Sequence, residues 1–154
     1  MANEQNTIEL QVVTPERHIL SEDVESVEMP GKDGYLGVLP GHAPLLTEMG
    51  VGILTYRKGS ESRSLTVMGG YGEVLPNRVI VLADASERTE QIDRSRAQAA
   101  LDRAKANEPG ANATEADWDA ANAAIARATV RLEAAKGGSG ATAPASRELE
   151  HAKA

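Results

Sequence analysis

The chain has 154 residues, a net charge of -7 and no cysteine, a length that suits one domain or a small domain with an appendage. The missing thiols exclude disulfides, thiolate nucleophiles and cysteine-based zinc sites. The acidic balance argues against a nucleic-acid partner, which needs a basic stripe to neutralise phosphates.

From Thr7 to Ala83 the chain reads as short β segments separated by turns: "TIELQVV", "RHILS", "VESVEMP", "YLGVLP", "GILTYR", "RSLTVM", "YGEVLP" and "RVIVLAD". Alternation is clear in "SLTVM" and "RVIVLAD", and Gly-Lys-Asp-Gly, Arg-Lys-Gly-Ser and Pro-Asn-Arg supply turn chemistry. Three Tyr, one Trp and no Phe make the expected core aliphatic. The reading is an N-terminal β-sandwich or flattened barrel. No apolar run approaches the roughly 20 residues of a spanning helix, and "MANEQNTIEL" resembles neither a secretory signal nor a transit peptide.

At Asp84 the composition changes, with Ala, Arg, Glu and Asp replacing Gly and β-branched residues. Residues 1–84 carry 6 Lys+Arg against 12 Asp+Glu, and residues 85–154 carry 10 against 11. Two antiparallel helices are expected, over 89–106 and 115–136, divided by "NEPGANA". Thr114 and Asp117 have the spacing of a capping box at the second helix start. Trp118, Ala121, Ile125, Ala128, Leu132 and Ala135 form a heptad-like stripe. The first helix offers a poorer one, through Ile92, Ala99, Ala100, Leu101 and Ala104. Two alanine-lined faces bury little area, so the hairpin is expected to dock weakly. "GGSGATAPAS" after Lys136 reads as a flexible linker. The expected division is 1–85 β-sandwich, 86–136 helical hairpin and 137–154 C-terminal tail.

No catalytic site emerges. His18, His42 and His151 lack the spacing of a helical zinc pair, so no metal site is expected. "GVG" at 50–52 and "GGYG" at 69–72 lack a phosphate-loop context and read as bulges. The acids of "SEDVESVE" at 21–28 read as a solvated strand face. The hairpin is sharper. Asp93 and Arg96 lie at i, i+3, with Glu87 upstream, and Arg127 and Arg131 lie at i, i+4. If the hairpin closes, these arginines converge on one anion, and guanidinium forks suit phosphate oxygens. From the pattern alone, surface ion pairs on an alanine-rich hairpin are the favoured reading of the same charges.

The stretch "PGKDGYLGVLPGHAPLLTEMGVGILTYR", followed in order by "GGYGEV" and "VIVLAD", resembles the ε subunits of F-type ATP synthases over residues 7 to 136. That resemblance implies a non-catalytic central-stalk subunit coupling proton translocation to rotary ATP synthesis. Its implied partners are the γ subunit and the c-ring, with the α/β hexamer reached by an extended hairpin that inhibits hydrolysis. Docking is implied at Gly31 and Tyr35 on the c-ring side, and at Pro40, His42 and Pro44 towards γ. The subunit would be peripheral, on the cytoplasmic or equivalent face of an energy-coupling membrane, without inserting. "IDRSRA" at 92–97 resembles the family's ATP-binding motif. No cofactor is required, and ATP is implied as a regulatory ligand at Glu87, Asp93, Arg96, Arg127 and Arg131. The rival is a stand-alone nucleotide-binding protein using the same cluster.

Overall fold

The computed structural model describes residues 6–137. Eight strands are formed: β1 Ile8–Val13, β2 His18–Val24, β3 Ser26–Gly31, β4 Gly34–Val38, β5 Leu45–Glu48, β6 Val51–Lys58, β7 Glu61–Leu75 and β8 Arg78–Arg88. They hydrogen-bond in the order β2-β1-β8-β7-β6-β3-β4, with β5 on β7. Every pairing is antiparallel except β1 with β8. A 3-10 turn, Thr89–Gln91, leads into α1 (Arg94–Ala106) and α2 (Glu115–Gly137). The sandwich followed by two helices is the architecture expected from the sequence.

The 15-residue β7 joins two segments read as separate strands. Its first half pairs with β6, from Glu61 to Met68, and its second half with β5, from Tyr71 to Val74. Between them the inward-facing set changes parity, from Leu65 and Val67 to Gly72 and Val74. Gly69 and Gly70 make that change, with φ of 76° and 103°. A side chain on Gly70 would overlap the Leu82 carbonyl oxygen. The glycine pair thus lets one long strand serve both layers, which is how a continuous sheet closes on itself.

The core between the layers is aliphatic. Ile8, Leu10 and Val12 alternate inward from β1, Val79 and Val81 from β8, and Tyr56 is its only aromatic. β5 was not expected as a strand. Its four residues are too short for a periodic signal, and three of them, including Leu45 and Leu46, are exposed.

The helices depart from expectation in two ways. α1 begins at Arg94 rather than 89 because the Asp93 carboxylate accepts from the Arg96 N–H at 3.0 Å, capping the helix there. Its only buried residue is Ala97, while Ala99 is exposed. β8 also runs on to Arg88, past the expected sandwich limit at 85.

In α2 the buried residues are Ala128, Val130, Leu132 and Ala134. At about 100° per residue, Ala128 and Leu132 share one face, and Val130 and Ala134 share another nearly opposite. This half of α2 is therefore covered from two sides, and its neighbours are α1, β6, β7 and the 3-10 turn. The expected stripe fades towards the other end, where Trp118 is 42% exposed. The Thr114–Asp117 box forms as read: Thr114 N–H and Oγ1–H both donate to Asp117 Oδ2, at 2.8 and 2.7 Å, and Asp117 N–H donates back to Thr114 Oγ1 at 3.2 Å. The tail from 138 onward, with His151, lies outside the described residues.

Candidate functional site

The hairpin lies down on the outer face of the sandwich. Thr66 pairs with Glu87 and Met68 with Ala85 across β7 and β8. Thr66 and Met68 are buried yet stand apart from the core cluster between the layers. Beside this contact is a groove of about 500 Å3, lined by residues of β8, the 3-10 turn, α1 and α2.

Four of the five residues singled out from sequence line this groove: Glu87, Asp93, Arg96 and Arg131. Arg127 does not, and is exposed. It lies one turn nearer the hairpin tip than Arg131. Both acids are engaged. Glu87 Oε1 accepts from Arg131 Nε–H at 2.8 Å, with Arg131 Nη2 at an ion-pair distance of 2.8 Å from the same oxygen, and Asp93 caps α1. Arg96 and Arg103 form no ion pair among the described residues. Arg103 was not among the residues expected at the anion site, although its position seven residues after Arg96 returns it to the same side of the helix. Gln91 and Ile92 also line the groove. A cationic groove with two unengaged guanidiniums is suited to an anion carrying several oxygens. A second depression, of about 550 Å3 at the hairpin tip, is lined by no cation.

The residues expected to dock lie on the sandwich. Gly31 pairs with Gly34 to close the β3–β4 hairpin, and an added Cβ would sit 2.7 Å from the Gly34 carbonyl oxygen. Tyr35 is 59% exposed, and its hydroxyl accepts from the Ile53 N–H at 3.2 Å. Pro40, His42 and Pro44 lie in the connection between β4 and β5, where His42 Nδ1 is 2.7 Å from the Ala43 carbonyl oxygen.

Sequence reading missed the exposed apolar residues beyond this corner. Tyr71 and Leu82 are cross-strand partners, 59% and 56% exposed, and Leu46 on the neighbouring β5 is 73% exposed. The alternation in "RVIVLAD", which sends Val79 and Val81 inward, already places Leu82 outside. Among the described residues no cluster of His, Cys, Asp and Glu is arranged to hold a metal, and no helix is long and apolar enough to cross a membrane.

Comparison with known proteins identifies the family. The family model described as "ATP synthase, Delta/Epsilon chain, beta-sandwich domain" matches residues 7–89. The ATP synthase epsilon chain of Solibacter usitatus is 50% identical over 130 residues, covering 84% of this chain and 96% of that protein. ATP synthase epsilon chain 2 of Syntrophotalea carbinolica is 44% identical over 134 residues, 86% and 97% of the two chains. Among solved structures, a chain in the Euglena gracilis mitochondrial ATP synthase, determined with OSCP, F1 and the c-ring, superposes with a TM-score of 0.72. It shares 25% identity and covers 85% of this chain and 82% of that one. The match spans sandwich and hairpin together, and the chain belongs to the epsilon-chain family of ATP synthase.

Proposed function

We propose that this chain is the non-catalytic central-stalk subunit of its ATP synthase, coupling proton translocation to rotary synthesis and restraining hydrolysis through its hairpin. Residues 1–85 dock and residues 86–136 regulate. The sandwich meets the γ subunit through Pro40, His42 and Pro44, and the c-ring through Gly31 and Tyr35. The prolines restrict that corner in advance, so less entropy is lost on docking. The chain is peripheral on the cytoplasmic or equivalent face of the membrane, held there through the complex.

The observation that carries the regulatory reading is the thinness of the hairpin's seat. Full burial of a Val or Leu contributes about 1.5–3 kcal/mol, and on α2 only Val130 and Leu132 among such residues are buried. A hairpin so held can lift and extend along γ towards the α/β hexamer, where Arg94, Arg96, Arg103, Lys105, Arg127 and Arg131 suit acidic segments. In the lowered state the groove binds ATP as a regulatory ligand, its phosphates on Arg96 and Arg131. ATP then favours the lowered state by its differential affinity for it.

The test is truncation in the assembled enzyme. Removing residues 86–154 leaves assembly and coupling intact and raises ATP hydrolysis; an unchanged hydrolysis rate removes the inhibitory role. Calorimetric titration of ATP into the isolated chain, repeated with Arg96→Ala, tests the ligand separately.

A further inference from the structure

The groove acids have another task. Of the ion pairs among the described residues, Lys32–Glu48, Lys58–Glu22, Arg63–Glu22 and Arg63–Glu61 all lie within the sandwich. Glu87–Arg131 alone joins the hairpin to it. It is also better shielded than the pair Arg63–Glu61: its side chains are 28% and 33% exposed, against 49% and 62%. A pair so placed is screened less by water and salt.

Its sandwich end is held rigidly. Thr66 is fully buried on β7, and its hydroxyl accepts from the Glu87 N–H at 3.0 Å and donates to the Glu87 carbonyl oxygen at 3.4 Å. Two residues on, Thr89 Oγ1–H donates to the Ser64 carbonyl oxygen at 3.2 Å. The sheet therefore grips the chain on both sides of Glu87 up to the 3-10 turn, and the carboxylate is presented from a fixed point. On the other partner, Nε and Nη2 of Arg131 converge on one carboxylate oxygen. This charge-assisted hydrogen bond, with a second guanidinium nitrogen at ion-pair distance, opposes separation of α2 from the sheet.

We infer that Glu87 and Arg131 form a latch that holds the hairpin down before any nucleotide arrives, with Thr66 as its positioning residue. This rests on the reading of the hairpin as a mobile element, and it reassigns Glu87 from ligand contact to latch. An anion entering the groove meets Arg96 and Arg103, which have no carboxylate partner, and Arg131, positioned by Glu87, in a site that is already assembled. Breaking the latch weakens apparent ATP binding only through the smaller fraction of chains in the lowered state.

The chain's lack of cysteine makes a distance measurement direct. Cysteines introduced at Ser62 and Glu133, both exposed, carry paired spin labels in the full-length, nucleotide-free protein. Glu87→Gln lowers the ratio of lowered to lifted hairpin by about fivefold, the scale expected of a partly shielded ion pair. Glu87→Arg lowers it further, by setting two guanidiniums against each other. Combining Glu87→Arg with Arg131→Glu restores the lowered state by reversing the pair, but does not restore ATP binding, because an acid then stands where the groove-lining Arg131 was. An unchanged distance distribution in Glu87→Gln, or no recovery in the reversed pair, overturns the latch. Absence of ATP binding to the wild-type chain overturns the nucleotide reading and leaves the latch to be judged on distances alone.

Discussion

Arg131 on α2 and Glu87 on β8 are 44 residues apart in sequence and 2.8 Å apart in space. That contact fixes which turn of α2 rests on the sandwich. Arg131 comes to the sheet, and Leu132 follows it into a buried position. Trp118, more than three turns earlier, stays in solvent. The apolar share of the seat predicts that Leu132→Ala frees the hairpin selectively. The expected loss is about 2 kcal/mol, the lower end for truncating a buried leucine. Hydrogen exchange checks it: amides of α1 and α2 lose protection while those of β1, β7 and β8 keep theirs. Uniform loss across the sandwich overturns the claim that the hairpin is a separately seated element.

Gly70 predicts a larger effect on the sandwich itself. Its φ of 103° is one that residues with a side chain rarely adopt, and an added Cβ would overlap the Leu82 carbonyl oxygen. Gly70→Ala is expected to cost about 3 kcal/mol or more, measured by denaturant unfolding. Gly37→Ala is the control. A Cβ there meets nothing within 4 Å, and a change within about 0.5 kcal/mol is expected.

What could be read from the residues alone follows the range over which each signal acts. Val79 and Val81 alternate within one strand, and Thr114 and Asp117 bond within one turn, so both were legible. Gly69 and Gly70 read as a bulge, yet the pairing of β7 with β8 keeps one register through them, and the glycines act by their positive φ instead. That they keep β7 continuous depends on β6 and β5 pairing with opposite halves of it, a relationship between distant segments. Asp93 shows the same limit at short range. Its spacing to Arg96 suggested two side chains meeting on an anion, whereas the carboxylate accepts from the Arg96 backbone N–H and starts the helix. Arg127 and Arg131 are equivalent by spacing, and only the tertiary contact of Arg131 with Glu87 on β8 separates them.

The capping box gives a pH prediction with a definite sign. Hydrogen bonds from the Thr114 hydroxyl and then its backbone N–H hold the Asp117 carboxyl below its ordinary value of 3.8. A group whose folded pKa is depressed stabilises the fold above its unfolded pKa and loses that contribution as pH falls through the folded value. The first turn of α2 is therefore expected to fray below about pH 3.8, while Asp117→Asn removes the pH dependence and weakens the turn at neutral pH. Amide resonances of residues 115–118 report it, and a first turn equally ordered on both sides of that pH rejects the assignment.

The groove makes a final prediction that separates its arginines by position. Arg96, Arg103 and Arg131 line it, and Arg127 does not. If phosphate oxygens are bound in the lowered state, each lining guanidinium contributes a charge-assisted hydrogen bond, worth about 1.5–3 kcal/mol. Arg103→Ala is then expected to weaken ATP binding at least about tenfold, and Arg127→Ala to change it by less than about threefold through long-range attraction alone. Loss of Arg127 also leaves the Glu87–Arg131 contact intact, so the nucleotide-free hairpin stays down in that variant. Calorimetric titration of ATP into the three proteins decides the matter. A larger loss in Arg127→Ala than in Arg103→Ala means that α2 turns or shifts when the nucleotide binds, carrying Arg127 into the groove, and the preassembled site is wrong.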